Sequence, residues 1–206
     1  MAQSKDSEQN SAGPRRVCVF CGSNPGGDPR FGAAAEALGQ ALAAAGIGIV
    51  YGGASVGLMG RVADGALARG GEVIGVIPRA LVDLELAHGG LSELHVVGSM
   101  HERKALMADL ADAFVALPGG LGTLDELFEI LTWAQLGLHR KPVGVLDANG
   151  YFAPLLEFLD GAVDARFLAP PYRAMLVVAM TAEELLQGFR RYRPPPPLTW
   201  IDRPAR

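Results

Sequence analysis

The sequence contains few of the residues on which several common classes of site depend. Of its 206 residues, two are cysteines and three are lysines. Cys18 and Cys21 form a lone C-x-x-C without a second pair or a nearby histidine that would complete a zinc site, so we expect two reduced structural thiols. Three lysines also leave little support for a pyridoxal-phosphate Schiff base.

The best-known nucleotide-binding loops are missing as well. No Gly-Lys-Ser/Thr of a Walker A loop occurs anywhere in the chain. The Gly-Leu-Gly at 120–122 lacks the third glycine of a dinucleotide-binding G-x-G-x-x-G, and the glycines at 52–57 have the wrong spacing. The sequence also lacks an acidic cluster that would bind a metal for ATP-driven phosphoryl transfer.

Charge and hydropathy exclude further classes of protein. The formal net charge is -4, whereas a nucleic-acid surface or a polybasic membrane patch needs an excess of clustered lysine and arginine. No apolar run approaches the eighteen residues of a membrane span, and the polar first fifteen positions lack the apolar core of a secretory signal. We therefore expect a cytoplasmic protein that binds neither nucleic acid nor membranes.

The length and the hydrophobic content indicate one domain. Half of the residues are hydrophobic, which is enough for one sizeable core. We expect a disordered N-terminus at 1–14, a single domain at 15–192 and a Pro-rich C-terminal tail at 193–206.

Short apolar runs alternate with segments of helical periodicity. The spacing predicts seven strands, at 16–20, 47–51, 72–77, 93–97, 113–117, 142–146 and 175–179. Helices are predicted between most of them, whereas 81–90 has no clean period and is predicted to be irregular. This alternation is typical of an α/β fold whose mainly parallel sheet is covered by helices on both faces.

Two glycine-rich turns follow predicted strands, at 52–60 and 118–126. Ligands of parallel sheets bind at the carboxyl ends of the strands, where both turns fall. The second turn opens a helix, whose first N–H groups and dipole can hold a phosphate without a basic side chain. Thr123 and Glu126 also fit a T-x-x-E capping box, so the residues alone leave both interpretations open.

A third motif places basic residues at a helix start. Ser99 and Glu102 predict an S-x-x-E cap, and Arg103 and Lys104 follow in the first turns. Positive charge opposes the dipole at this end of a helix, so these two residues require another reason.

Together these motifs resemble the LONELY GUY family, the cytokinin riboside 5'-monophosphate phosphoribohydrolases, whose members have often been labelled lysine decarboxylases. The resemblance spans roughly residues 15 to 190 and is carried by the segments 52–60, 99–104, 118–126 and 132–137. It implies a Rossmann-like three-layer fold, a homodimer with sites near the interface, and no metal or redox cofactor. The implied reaction hydrolyses the N-glycosidic bond of a nucleoside 5'-monophosphate to free base and ribose 5-phosphate.

The resemblance also implies roles for individual residues. Arg103 and Glu126 match the catalytic pair. The matching substrate-binding positions are Glu85, Lys104, Gly119, Gly120, Leu121, Gly122, Thr123, Asp125 and Thr132. The second glycine loop adds Gly52, Gly53, Gly57 and Met59.

The chemistry of glycosidic cleavage explains this pair of residues. A carboxylate near the ribose can stabilise an oxocarbenium-like transition state, orient hydroxyls or activate water, which is the role we expect of Glu126. Arg103 can fork onto phosphate or ribose oxygens. Molybdenum-cofactor carriers share the fold and the glycine turns but would not need the pair, so a non-catalytic nucleotide carrier stands as the alternative.

Two aromatic side chains leave their roles open. His101 fits a general acid for the departing base, although structural hydrogen bonding at a helix start is the commoner use of such a histidine. Trp133 fits purine stacking, although packing in the core or in a dimer contact is commoner for a large aromatic residue.

Overall fold

The computed structural model describes residues 13–85 and 87–196, with the side chains of 83–85 left out. A single sheet with strand order 4-3-2-1-5-6-7 forms its centre, and every neighbouring pair of strands is parallel. The strands are β1 (Arg16–Phe20), β2 (Gly48–Tyr51), β3 (Val73–Pro78), β4 (Glu93–Val97), β5 (Ala113–Ala116), β6 (Val143–Leu146) and β7 (Leu176–Ala179). The predicted seven-stranded parallel sheet is confirmed.

Helices cover both faces of this sheet. They are α1 (Pro29–Ala44), α2 (Gly57–Leu67), α3 (Arg79–Glu85), α4 (Met100–Leu110), α5 (Leu121–Gln135), α6 (Ala153–Asp164), α7 (Pro170–Arg173) and α8 (Ala182–Arg191). Alternate residues of β1 point to opposite faces: Val17 and Val19 pack among residues of α1, α2 and α8, whereas Cys18 and Phe20 pack among residues of α4, α5 and α6. The protein therefore has the expected three layers.

The strand order reverses at β1, which pairs with β2 on one side and with β5 on the other. The connections of β1 and β5 leave in opposite directions, so a crevice opens beyond their carboxyl ends. Backbone hydrogen bonds join the loops there: the Gly22 N–H donates to the Pro118 carbonyl at 3.0 Å, and the Leu58 N–H donates to the Gly22 carbonyl at 3.0 Å. The ends of β1 and β5 and the start of α2 thus form one connected floor.

Two local predictions have different outcomes. The Ser99 cap is confirmed, because its hydroxyl accepts the Glu102 N–H at 3.1 Å and the Glu102 carboxylate accepts the Gly98 N–H at 2.7 Å. The irregular segment predicted at 81–90 is wrong in its first part, where α3 (Arg79–Glu85) forms. Two helical turns are too few to give a readable 3.6-residue period, which explains the error.

The chain ends remain predictions. The disordered segment expected at 1–14 and the Pro-rich tail expected at 193–206 lie mostly outside the described residues. Within the described part of the chain, no helix is long and apolar enough to cross a membrane.

Candidate functional site

A cavity of about 510 Å³ occupies the crevice at the strand reversal. The loops that follow β1, β2 and β5 form most of its wall, and α4 and the segment after β6 complete it. Both glycine turns therefore reach one cavity. Its polar and charged wall residues are Ser23, Asn24, Arg103, Thr123, Asp125, Glu126 and Tyr151.

The turn after β5 presents the start of α5 to this cavity. The helix begins at Leu121 after the N-cap Gly120, which makes no side-chain cap hydrogen bond. Of the two interpretations left open for Thr123 and Glu126, the capping box is not formed, because Thr123 lies inside the first turn and is only 4% exposed. Because the first-turn N–H groups of a helix lack intrahelical acceptors, this end of α5 can bind an anion.

Gly119 is required by the packing of the same turn. A Cβ atom at this position would collide with the hydroxyl of Thr123 and would lie 2.8 Å from the backbone nitrogen of Gly22. Only glycine lets the turn approach both the first turn of α5 and the loop after β1. The turn is therefore held close to the cavity floor.

Arg103 and Glu126 lie next to each other in the cavity wall. Their side chains are 8% and 11% exposed, and Nη1 of Arg103 lies 4.0 Å from Oε1 of Glu126. Nε of Arg103 donates to the Val76 carbonyl at 3.1 Å, which fixes the guanidinium over the end of β3. This contact supplies the reason for a basic residue in the first turn of α4. A fixed cation and a fixed carboxylate therefore share one partly enclosed site.

The second glycine loop makes room for this guanidinium. A Cβ atom on Gly52 would overlap Nη2 of Arg103 and would lie 2.8 Å from the sulfur of Met59. On the other side, the sulfur of Met100 lies 3.9 Å from Nη1 of Arg103. The charged group is thus confined between two thioethers and a bare backbone.

The two cysteines are buried free thiols, as expected. Burial raises the pKa of Cys21, with a further increase from the negative charge of Glu126 that Arg103 partly offsets. The pKa of Cys18 is raised in the same way. Although Cys21 lines the cavity, its thiol stays protonated at neutral pH and is a poor nucleophile.

Several residues predicted for the site do not line this cavity. Lys104 forms ion pairs with Asp125 at 3.2 Å and with Glu129 at 2.8 Å, which join α4 to α5. Thr132 lies about two helical turns beyond Asp125 on α5. Its hydroxyl donates to the Phe128 carbonyl at 2.7 Å. Gly53 and Gly57 also lie outside the cavity wall, and the side chain of Glu85 is outside the described residues.

The remaining predicted residues do reach the cavity. They are Gly52, Met59, Arg103, Gly119, Gly120, Leu121, Gly122, Thr123, Asp125 and Glu126. His101 is exposed on α4 and is not part of the wall, whereas Trp133 is partly buried and packs against the core beneath α5. The position of Trp133 favours core packing, and the exposed position of His101 outside the wall does not support a general-acid role.

The sequence interpretation missed part of the wall. The loop after β1, which includes Ser23 and Asn24, follows a predicted strand and contains several glycines, so its position could have indicated a ligand loop. Tyr151 carries no such signal, because only the pairing of β5 with β6 brings it near the site. Nowhere in the described ranges do three or more His, Cys, Asp or Glu side chains form a group that could hold a metal ion.

The fold and the site define an α/β protein whose cavity combines the uncapped start of a helix with a buried Arg–Glu pair. A family model described as "Possible lysine decarboxylase" matches residues 59–189. The chain is 52% identical over 192 residues to a probable cytokinin riboside 5'-monophosphate phosphoribohydrolase, LOGL5, of Oryza sativa, covering 90% of this chain and 78% of the relative. It therefore belongs to the LONELY GUY family.

A bacterial relative and two solved structures extend the comparison. The cytokinin riboside 5'-monophosphate phosphoribohydrolase of Rhodococcoides fascians is 49% identical over 178 residues, which cover 86% of this chain and 90% of the relative. The molybdenum cofactor carrier protein of Chlamydomonas reinhardtii superimposes with a TM-score of 0.64 at 23% identity, and the molybdenum cofactor binding protein of Rippkaea orientalis with 0.63 at 23%. Each alignment covers 84% of this chain and 93% of the other. At this identity the likeness concerns the fold alone.

Proposed function

We propose that this protein hydrolyses the N-glycosidic bond of cytokinin riboside 5'-monophosphates, which are N6-substituted forms of AMP, and releases the free base and ribose 5-phosphate. Relatives that are 49% to 52% identical bear the name of this activity. The observation that carries the proposal is the buried pair of Arg103 and Glu126 beside the open start of α5.

The phosphate belongs at the start of α5. Gly120, Leu121 and Gly122 line the cavity there, and no Cβ added at Gly120 or Gly122 would meet an atom within 4 Å. The space is therefore open to a ligand, and the helix dipole favours a dianion. This placement needs no lysine or metal, and it provides a site for the 5'-phosphate of the nucleotide.

The ribose then lies between the phosphate turn and the Arg–Glu pair. Arg103 binds sugar or phosphate oxygens and fixes the substrate in the cavity, which contributes through positioning. The carboxylate of Glu126 faces the anomeric carbon, where positive charge develops as the bond to the base breaks. The electron pair of the broken bond stays on the base nitrogen; water adds its hydroxyl to the anomeric carbon, and the remaining proton of the water goes to the base.

AMP is expected to be a slower substrate of the same site. The reacting atoms are the same with and without the N6 substituent, so the chemistry does not distinguish the two nucleotides. Apolar wall residues, among them Met59 and Met100, favour an apolar substituent through the area it buries.

The alternative function is a non-catalytic nucleotide or molybdenum-cofactor carrier of the same fold. A carrier needs the phosphate turn but has no need of a carboxylate fixed 4.0 Å from a buried arginine. A carrier would bind the nucleotide and return it unchanged. Free base in the reaction mixture therefore distinguishes the two functions.

An exposed face of α5, which includes Thr132 outside the cavity, supports a homodimer. Leu121, Asp125, Phe128 and Thr132 are all exposed and follow one face of α5, at spacings of four, three and four residues. Leu121 is 87% exposed although it is apolar. A second copy packed on this face would cover Leu121 and Phe128 and bring Thr132 close to a site. Light scattering should give the mass of a dimer for the unaltered protein and of a monomer for Leu121→Glu. This result would support the arrangement.

We further expect the protein to act in the cytoplasm. Its two cysteines are buried free thiols, which is the usual state in a reducing compartment. Fractionation of cells with an antibody against the protein measures this directly.

The proposed reaction is tested with N6-isopentenyl-AMP and AMP as substrates. Chromatography should detect free base and ribose 5-phosphate in equal amounts. Glu126→Gln should lose most of the turnover because it removes the carboxylate charge. Glu129→Gln is the matched control: it is one turn away on α5, outside the cavity, and should retain turnover. Equal turnover by Glu126→Gln and the unaltered protein would refute the role assigned to Glu126.

A further inference from the structure

Tyr151 makes a long-range contact with the phosphate turn. Its hydroxyl donates to the Gly119 carbonyl at 2.5 Å, across 32 residues of sequence, and its ring lines the cavity. The ring is held at two edges, by Phe31 at 5.5 Å and 78° and by Phe152 at 5.1 Å and 87°. Such edge-to-face pairs fix the plane of an aromatic ring. The position of the hydroxyl is therefore defined by the surrounding structure.

The segment that carries Tyr151 is anchored on both sides. Before it, Asn149 and Gly150 have φ angles of 61° and 73°, which turn the chain back towards the cavity. The amide of Asn149 donates to Asp28 at 3.1 Å, in the loop before α1. After it, Phe152 is only 1% exposed, and its N–H donates to the carboxylate of Asp147 at 2.7 Å.

The acceptor of the Tyr151 bond is the carbonyl of the peptide between Gly119 and Gly120. The peptide between Gly119 and Gly120 has glycine on both sides, so no Cβ atom limits its rotation. A trans peptide is planar, and its carbonyl and N–H point in opposite directions. Fixing the Gly119 carbonyl therefore fixes the direction of the Gly120 N–H, and hydrogen bonding to that carbonyl also makes the N–H a better donor.

We propose that Tyr151 is a positioning residue for phosphate: its hydroxyl orients the Gly119–Gly120 peptide so that the turn is preorganised for the 5'-phosphate of the substrate. This inference rests on the proposed function, because it assumes that the phosphate binds at the start of α5. It assigns to the segment after β6 a role that neither glycine motif contains. Tyr151 acts through the turn and takes no part in breaking the glycosidic bond.

Tyr151→Phe tests the inference because it removes the hydroxyl and keeps the ring. The affinity for ribose 5-phosphate, measured by calorimetry, should fall about 2- to 10-fold, as expected for the loss of one net hydrogen bond. The affinity for adenosine, which has no phosphate, should stay unchanged. In turnover, KM for AMP should rise by the same factor as the loss of affinity, with kcat within twofold.

Tyr51→Phe is the matched control. The Tyr51 hydroxyl donates to the Ala54 carbonyl at 3.2 Å in the other glycine loop and lies outside the cavity. This variant should bind ribose 5-phosphate as the unaltered protein does. Equal affinities of Tyr151→Phe and the unaltered protein, or equal losses for ribose 5-phosphate and adenosine, would overturn the inference alone. Failure of the unaltered protein to bind ribose 5-phosphate would overturn the proposed phosphate site and the inference with it.

Discussion

Gly52→Ala tests whether the position of the Arg103 guanidinium controls turnover. The φ angle of Gly52 is not in the left-handed region, so the backbone accepts alanine. The new Cβ atom would overlap Nη2 of Arg103 and lie 2.8 Å from the sulfur of Met59. Relieving these contacts requires the guanidinium to move by about 1 Å, since carbon and nitrogen atoms normally stay about 3.5 Å apart. This movement changes both the 3.1 Å bond to the Val76 carbonyl and the 4.0 Å approach to Glu126.

The expected cost is much larger for activity than for stability. A displacement of about 1 Å in an active site lowers the rate on the order of 100-fold. Overpacking against two flexible side chains costs about 1 to 2 kcal/mol, and each kcal/mol lowers Tm by about 2 to 4 °C at this chain length. We therefore expect kcat/KM for N6-isopentenyl-AMP to fall about 100-fold while the melting curve shifts by only a few degrees.

The assay compares kcat/KM and Tm of Gly52→Ala with those of Gly27→Ala. Gly27 lies in the loop after β1, outside the cavity wall, and a Cβ atom there meets nothing within 4 Å. The control should keep both the activity and the stability of the unaltered protein. Turnover of Gly52→Ala within threefold of the unaltered protein would show that the position of the Arg103 guanidinium does not control the rate.

Three further predictions concern stability. Burial lowers the pKa of Lys104, but the hydrogen bonds to Glu129 and Asp125 outweigh burial and raise this pKa above its ordinary 10.5. The ion pairs of Lys104 therefore stabilise the fold below pH 10.5 and are lost as the pH rises through the folded-state pKa. Lys104→Met should thus lower the free energy of unfolding by about 1 kcal/mol at pH 7, a difference that disappears in urea titrations at strongly alkaline pH. Burial lowers the pKa of His139 below 6.5. The unfolded chain therefore binds a proton at His139 at a higher pH than the folded protein does, and the free energy of unfolding should fall as the pH drops below 6.5. His139→Gln should weaken this loss between about pH 7.5 and 5.5. Gly161→Ala, in α6 with no atom within 4 Å of the new Cβ, should raise the free energy of unfolding by about 0.5 to 1 kcal/mol, measured by the same titration.

Local sequence patterns predicted most of the fold. The bounds of β1 (Arg16–Phe20) and β4 (Glu93–Val97) agree residue for residue with the predicted runs, because each run is bordered by turn-forming or polar residues. The spacing of Thr181 and Glu184 likewise predicts a cap for the last helix, and the Thr181 hydroxyl accepts the Glu184 N–H at 3.2 Å. Such signals lie within a few residues of the element they define, so sequence alone contains them.

Thr123 illustrates a local signal that tertiary structure overrides. Its spacing from Glu126 fits a capping box, yet α5 starts two residues earlier. The hydrogen bond between the Gly22 N–H and the Pro118 carbonyl holds the preceding turn against the loop after β1. That contact joins residues 96 positions apart, and no local pattern contains it.

The same limit applies to the site. The resemblance to a family, rather than their spacing in the sequence, predicted that Arg103 and Glu126 act as a pair. Their side chains lie 4.0 Å apart because α4 and α5 lie on one face of the sheet. Lys104 was also predicted for the site, and it follows Arg103 directly. Because successive residues of a helix point about 100° apart, its side chain instead pairs with Asp125 and Glu129 of α5.

If the Arg–Glu cavity breaks a glycosidic bond rather than merely holding a nucleotide, the purified protein must cleave its substrate without any partner. The most direct measurement incubates the purified protein with N6-isopentenyl-AMP and quantifies the products by chromatography. We expect one free base and one ribose 5-phosphate for each nucleotide consumed, with most of this turnover lost in Glu126→Gln. Recovery of intact nucleotide at high enzyme concentration, despite measurable binding, would contradict this expectation and favour a carrier.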